Sequence, residues 1–438
     1  MNLNTLNEFR HEVYGCFTRA SDALFNTVDA LLTETQARSF PELSLSPYFE
    51  RRWCSLYEAF EDGRIDQERL RRVFARYLLR PADGRRVWLG IDATSIQRPE
   101  SQTVPDRTVV YLPNLPESSK PISYGWQFST VVVLPGHPSS WTAVLDQQRI
   151  GSEQTSVQVA ASQLRQLAPM VEGRPIVTTD RWYSCAPFLL LTEGLPFDKL
   201  LRLKRKRVLY RAAPAPTGKR GAPRKDGERF QCGDKSTYGQ AAGKWQGSNA
   251  QGRPIEITWW TGLHLSKVRH IEVTVIRVVR PCASGKKRDP RESWFLWDGS
   301  AQVSLPEVAL DYRRRFSQEH GYRFDKQSLL WAVPRLRTPA QFERWSQVVA
   351  IVHNHLVLAC PQVQAELHPW ETSQRRASPQ QVRRAMAKIV TQLGTPARPP
   401  KPRGKSPGRP KGTLITPAPR YPVVYKSKPG LKKRRKRA

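Results

Sequence analysis

The sequence predicts an α/β protein: a mixed sheet flanked by helices, interrupted by a β-rich insertion, preceded by a helical N-terminal domain and followed by a disordered basic tail. Three observations carry this reading. Apolar residues recur at helical spacing up to about Arg80; three strand-like runs then give way to alternating helix and strand; from Thr395 the chain has no Asp or Glu and is rich in Pro, Gly, Lys and Arg. A chain of 438 residues exceeds one ordinary domain, and 39% hydrophobic residues suffice for a sizeable core.

Residues 1–80 form the first unit. The segments VYGCFTRASDALFNTVDALL and RLRRVFARYLLR keep the helical period, and Pro41 and Pro47 break it. The last helix and its approach carry Arg64, Arg69, Arg71, Arg72, Arg76 and Arg80. That pattern fits a solvated face and a DNA-contacting face alike, and the scarcity of matched acids leans to the second. Residues 86–207 begin with RVWLGIDATSI, ISYGWQFSTVVVLP and WTAVLDQQRI, rich in Val, Ile, Trp and Thr, which read as consecutive strands. A helix (SEQTSVQVAASQLRQLAP), a strand (RPIVTTD), a helix (SCAPFLLLTEG) and a strand (FDKLLRLKRK) follow, an order that places helices on both faces of a sheet. Residues 208–303 interrupt the alternation with a polar, Gly- and Pro-rich stretch and three strand-like runs, PIEITWWTGL, HIEVTVIRVVR and SWFLWDG. Residues 304–360 resume the core with a helix from Asp311 to Leu330 and a second in TPAQFERWSQVVAIVHNHLVLAC; residues 361–438 hold one helix, PQQVRRAMAKIVTQLG, and then the tail.

Lys and Arg outnumber Asp and Glu by 71 to 38, a formal charge of +33, which points to a polyanionic partner: nucleic acid first, an anionic membrane surface second. No apolar run approaches the roughly 18 residues needed to span a bilayer, and MNLNTLNEFRHEVYG has no charged region followed by an apolar one, so the expectation is a protein that stays inside the cell. Cys16, Cys54, Cys185, Cys232, Cys282 and Cys360 show no C-x-x-C spacing, which supports neither a zinc knuckle nor a disulfide framework.

The chemistry rests on three carboxylates. Asp92 lies in WLGIDATSI, a strand otherwise apolar, where it reads as a site residue, as a turn cap or as the partner of an Arg. Asp180 ends IVTTD at the carboxyl end of a second strand, where it also reads as the N-cap of a helix at Ser184. Asp146 in WTAVLDQQRI competes with similar context. In the helix from Asp311, residues Tyr312, Arg315, Glu319 and Lys326 fall within an arc of roughly 60° at about 100° per residue, so one face presents a phenol, a guanidinium, a carboxylate and an ammonium together. An exposed face with an Arg315–Glu319 ion pair is the plain alternative. Three carboxylates from two strands and a helix can converge on two hard divalent cations beside a phosphodiester.

The spacing Tyr312, two residues, Arg315, three residues, Glu319, six residues, Lys326 resembles the Tyr-Arg-Glu-Lys signature of insertion-sequence transposases of the Asp-Asp-Glu class, the IS-four-like group. Four fixed residue types at fixed spacing arise by chance at roughly one start position in 10⁵, so the match outweighs the Arg bias of the chain. Asp180-Arg181-Trp182-Tyr183 is similar to the Asp-Arg-x-Tyr context of that group's second carboxylate, and Asp92 to the first; the resemblance runs from about Arg86 to Leu330. It implies a ribonuclease-H-like core in which Asp92, Asp180 and Glu319 are catalytic and hold two Mg²⁺, with Mn²⁺ as the substitute. It further implies double-stranded DNA as partner, cut at terminal inverted repeats and joined to a target, a homodimer on that DNA, and a prokaryotic cytoplasm in association with the nucleoid. Within it Arg315 and Lys326 would grip phosphates, the former as a planar fork and the latter as a point charge. Tyr312 would pack against sugar or phosphate, and Arg181 and Tyr183 would contact DNA beside the second carboxylate. Trp294 resembles a tryptophan of the insertion that stacks on a flipped base in hairpin-forming relatives; Trp297 competes for that assignment, as does a plain core role.

His353-Asn354-His355 imitates the letters of a nuclease motif but lies on an apolar helix without the ligands that motif needs. Ser406 to Gly412 resembles an AT-hook core in which Arg409 would enter a narrow minor groove, and KKRRKR reads as an electrostatic arm. Two rivals to a transposase stay open: a binding protein that keeps the fold without catalysis, and a host two-metal nuclease.

Overall fold

A computed structural model describes residues 3–426 apart from 81–85, 113–120, 217–221, 249–251, 281–290, 365–366, 372–376, 403–407, 409 and 415. In chain order the N-terminal part holds α1 (Asn4–Tyr14), β1 (Phe17–Arg19), α2 (Ser21–Thr33), α3 (Phe40–Leu43), α4 (Trp53–Asp62), β2 (Arg64–Ile65) and α5 (Gln67–Leu78). The core opens with β3 (Trp88–Gln97), β4 (Thr108–Tyr111), β5 (Ile122–Val133) and β6 (Ala143–Ile150), then α6 (Ser156–Leu167), β7 (Ile176–Thr179), α7 (Ala186–Leu191) and β8 (Asp198–Leu203). The β-rich segment comprises β9 (Val208–Tyr210), β10 (Arg229–Gln231), β11 (Gly243–Ser248), β12 (Pro254–Leu265), β13 (Val268–Arg280) and β14 (Arg291–Asp298). It leads into α8 (Leu305–Asp311), α9 (Phe316–Gln327), α10 (Pro339–Ala359) and α11 (Pro379–Leu393).

Twelve strands join one sheet in the order β10-β9-β12-β13-β14-β8-β7-β3-β5-β4, with β11 on β12 and β6 on β5. Strands β3, β7 and β8 are parallel neighbours, and the others are antiparallel to theirs. The β-rich segment therefore extends the core sheet: β14 pairs with β8 from Trp294 opposite Leu203 to Asp298 opposite Lys199. The free edge of β8 is a row of N–H and C=O groups that must find partners, and β14 supplies them.

The helical period across VYGCFTRASDALFNTV conceals a break. Residues Phe17–Arg19 pair with Arg64–Ile65, and Ala20 takes φ 54° before α2 begins. A partner 45 residues away is invisible to periodicity over a window of about 18 residues. The N-terminal helices pack on α10 and α11: Phe9 meets His355 edge-on at 4.9 Å, Phe40 meets Trp345 at 4.9 Å, and the buried Arg383 guanidinium donates to the carbonyls of Leu31, Glu34 and Ser328. α10 enters through a capping box, Thr338 with Gln341, and is buried along most of its length.

The arginines around α5 find acids from elsewhere in the chain. Arg71 is buried and pairs with Asp146 at 3.1 Å, Arg76 pairs with Glu12 at 2.8 Å, and Arg69 donates to the Gly15 carbonyl. Asp146, the competitor among the strand aspartates, is thereby a buried partner of Arg71 and Gln148. Arg72, Arg76 and Arg80 still line a cavity of about 650 Å³ beside the start of β7, at the other end of the parallel strands from Asp92.

The tail is not wholly independent of the fold. Arg398 donates its N–H to Asp22, and Val424 forms a parallel bridge with Thr108 at the start of the edge strand β4. Arg409 and the KKRRKR run lie outside the described residues. Among those residues no helix is long and apolar enough to cross a membrane.

Candidate active site

Register builds the site. In the parallel ladder of β3 and β7, Ile91 lies opposite Thr179. Asp92 is the next residue of β3 and Asp180 the first residue past β7, so the two carboxylates emerge side by side at the end of this ladder and line the same groove. Asp92 keeps one carboxylate oxygen on the Ala93 N–H at 2.9 Å and the other on Arg315 Nη2 at 2.8 Å. Burial holds its carboxyl above the ordinary aspartate range; Arg315 opposes that, while Asp180 and Glu319 add to it. Asp180 accepts the Trp182 N–H at 2.8 Å, closing a tight turn. It is not the cap of the following helix, which starts at Ala186 behind Cys185.

The segment facing these strands is not one continuous helix. α8 ends at Asp311, Tyr312–Arg315 form a 3₁₀ turn, and α9 starts at Phe316. Three of the four residues of the spacing still face the sheet, because each is tied to it; the fourth, Glu319, is exposed. Tyr312 donates its hydroxyl to the Thr179 carbonyl at 2.9 Å, Arg315 holds Asp92, and Lys326 donates to Thr94 Oγ1 at 2.6 Å and to the Ser95 carbonyl at 2.9 Å. Tyr322, which sequence reasoning missed, donates to the Asp92 carbonyl at 3.0 Å, and Gln318 donates to the Thr130 carbonyl. Two glycines permit the close approach: a Cβ on Gly90 would meet Gln318 Oε1 at 2.7 Å, and one on Gly321 would meet Thr142 Oγ1 at 2.8 Å. Behind α9, His353 bonds Asp325 at 2.6 Å and the Thr142 carbonyl at 2.9 Å, so both ring nitrogens face acceptors, and the Asp325 carboxylate raises the ring's pKa against the opposing effect of burial. The His-Asn-His run thus clasps α9 and β6, with Asn354 bonding both the N–H and the carbonyl of Val144.

Glu319 is the most open of the three carboxylates, its side chain 57% exposed and 3.8 Å from Arg315. It lines one groove of about 630 Å³ together with Asp92 and Asp180. The wall opposite in charge is a run at the end of β8, Arg202, Lys204, Arg205 and Lys206, all exposed. The sequence carried that signal in LRLKRK, where the strand reading masked it. A second cavity of about 1040 Å³ shares Asp92, Asp180 and Arg181 and adds Trp182, Lys326 and Lys426.

Several assignments to DNA contact are corrected by burial. Tyr183 is 1% exposed and packs edge-on against Phe188. Trp294 is 2% exposed, stacked on Trp260 among Phe230 and Tyr238, with the Arg277 guanidinium over its face. Neither ring can stack on a base from there. Trp297 is also buried. Arg181 is exposed in both cavities, and Trp182, 65% exposed beneath the Lys204 ammonium, is the aromatic surface the site does present. Lys326 is largely enclosed, and burial lowers its pKa to about 8.

Among the described residues no three His, Cys, Asp or Glu side chains stand close enough to form a ready metal cage. The donors nevertheless suit a hard divalent cation. Asp92 and Asp180 are adjacent carboxylates whose mutual repulsion raises Asp92, with a single guanidinium between Asp92 and Glu319 to offset it.

A family model described as DDE superfamily endonuclease matches residues 12–265, more than half of the chain. The match includes Asp92 and Asp180 and ends before Glu319. A comparison with curated proteins returns no match.

Proposed function

The chain belongs to the DDE superfamily endonucleases, and from that premise we propose that it is a DNA transposase of the IS-four-like group, cutting DNA at the ends of an insertion sequence and joining those ends to a target. The observation that carries this reading is the groove that Asp92, Asp180 and Glu319 line together, where the parallel ladder of β3 and β7 ends at Ile91 and Thr179. Those three residues would hold two Mg²⁺, or Mn²⁺ in their place. Bound there, the ions would supply an activated oxygen nucleophile and offset charge on the leaving oxygen of an in-line displacement.

The chain's own residues set the geometry. Arg315 holds Asp92 at 2.8 Å, and the same guanidinium stands 3.8 Å from Glu319. Tyr312 and Tyr322 lock the turn and α9 against the backbone carbonyls of Thr179 and Asp92, which fixes the height of Glu319 above the strands. Arg202, Lys204, Arg205 and Lys206 offer positive charge along one wall, where a phosphodiester backbone would displace condensed counterions. Arg181 sits at the divide between the two cavities, in position to contact phosphates on either side. Lys326 serves first to position β3 through Thr94 and Ser95, and its ammonium borders the larger cavity. Two copies would pair on the two ends of one element.

The test is Mg²⁺-dependent cleavage of DNA bearing the element's inverted repeats, followed by a search for joined products. Asp92→Asn and Glu319→Gln should abolish both while preserving DNA binding; full activity in either protein sinks the assignment. A second reading, a hydrolytic endonuclease without strand transfer, draws on the matched family's description as endonucleases. Efficient cutting with no joined product would favour it.

A further inference from the structure

The larger of the two cavities at the site is a trough. β7 stops at Thr179, opposite Ile91, while β3 runs on to Gln97, and the cavity follows that length: Asp92, Thr94, Ser95 and Gln97 all line it. The strand from Asp92 to Gln97 spans about 17 Å, the length of about five stacked nucleotides. An exposed aromatic ring stands at each end. Trp182 lies beside Asp180, which accepts its N–H at 2.8 Å, while the next residue, Tyr183, is sealed against Phe188; one ring anchors the turn and the other is held out, 65% exposed. Tyr111, 60% exposed, stands at the far end, since it pairs with Ile122 of β5, further out along the sheet than the Gly125 that faces Gln97. The neighbouring groove differs in chemistry. It exposes Arg202, Lys204, Arg205 and Lys206, cations suited to phosphates, whereas the two lysines of the trough already bond the protein: Lys326 with Thr94 and Ser95, Lys426 with the carbonyls of Gly151 and Gln154. Trp182 lines the trough and the Lys204 ammonium over its ring lines the groove, so this pair marks the divide.

We propose that the trough is a single-strand channel: unpaired nucleotides of the strand being cut lie along β3 outward from the carboxylates, with one base stacked on Trp182 at the near end and another on Tyr111 at the far end. The inference rests on the reading of DNA as substrate given above. Inside a duplex the flat faces of the bases are covered by their neighbours, so an exposed ring gains little from paired DNA. An unpaired base offers its face to any aromatic surface, whatever the sequence. Arg181, Lys326 and Lys426 outnumber Asp92 and Asp180 along the walls, so a phosphate chain is drawn in and not repelled. The groove thus holds duplex by its phosphates, and the trough takes the opened strand by its bases.

The experiment measures fluorescence anisotropy of the full chain, without divalent metal and at about 0.15 M salt, on three labelled probes. These are a blunt duplex, the same duplex with a single-stranded extension of about five nucleotides, and that extension built of abasic sugar-phosphate. The parent chain should bind the base-bearing extension about twentyfold or more tighter than the blunt duplex, and the abasic extension should lose most of that gain. Trp182→Ala should cut the preference about fivefold or more, Trp182→Phe should retain most of it, and Tyr111→Ala should cut it by less. Both rings are exposed, so the melting curves should not move. Lys206→Ala, in the groove, should weaken all three probes alike and leave the preference in place. A parent chain that does not distinguish the probes overturns the proposal, as does an abasic extension bound as well as the base-bearing one, or an unchanged preference in Trp182→Ala. Cleavage with Mg²⁺ on the same preparations separates the two readings. Metal-dependent cutting with no preference for the extension sinks the channel alone; the expected order of preference with no cutting by the parent chain sinks the transposase alone.

Discussion

Two basic runs of this chain look alike in sequence and differ completely in place. Around α5, Arg64 to Arg80 hold six arginines with few acids nearby; at the end of β8, Arg202, Lys204, Arg205 and Lys206 do the same. In the first run Arg71 is buried on Asp146, while Arg76 and Arg69 are exposed but tied to Glu12 and to a backbone carbonyl. In the second, the described contacts to acid reduce to Arg205 and Glu292 at 4.0 Å, and the side chains line the groove of Asp92, Asp180 and Glu319. A charge run becomes a binding surface only where the fold brings no acid to meet it.

Breaking the buried pair should give the largest effect on the comparison. Asp146→Ala leaves Arg71 charged and buried, and should lower unfolding free energy by about 3–5 kcal/mol in a urea titration. Neutralising the open run should do the opposite: Arg202→Ala, Lys204→Ala and Lys206→Ala together should leave the melting curve in place. The same triple change should weaken duplex binding about tenfold or more at about 0.15 M salt and lower the salt slope by about 2–3. If that protein unfolds early or binds as before, the contrast between the runs is lost.

Smaller effects sharpen it. Burial lowers the Lys326 pKa from 10.5 to about 8. Between those values the folded chain binds fewer protons at this site than the unfolded one, so this group makes stability rise with pH over that window. Urea midpoints at pH 8 and 10 should show the rise in the parent protein and a smaller one in Lys326→Met; equal rises would remove the buried ammonium from the account. Smallest should be Arg72→Ala, since Arg72 and Glu68 are an exposed i,i+4 pair at 3.4 Å. Its cost should stay under about 0.5 kcal/mol.

Local period made most elements legible. The strands bearing Asp92 and Asp180, the β-rich runs and α10 stand close to where alternation and capping residues put them. Three residues of the Tyr312 to Lys326 spacing bind the sheet and Glu319 stands open beside it, yet the chain reaches that face through a 3₁₀ turn which helical periodicity does not distinguish. Trp294 and Trp182 show the limit: both are tryptophans beside the site by sequence, one sealed in an aromatic cluster and the other 65% exposed.

The sequence by itself determined the class of fold, the three acidic candidates and the basic character that points to a polyanion, because these depend on residue type and on spacing within one turn or one strand. Tertiary structure alone decided that Asp92 and Asp180 line one groove at the end of the β3–β7 ladder, that β14 continues the sheet from β8, that Asp146 answers Arg71, and that Val424 reaches β4. Each of those facts is a meeting of backbone or charge across tens to hundreds of residues. Which unpaired strand edge or buried charge meets which distant partner is settled by packing the whole chain at once.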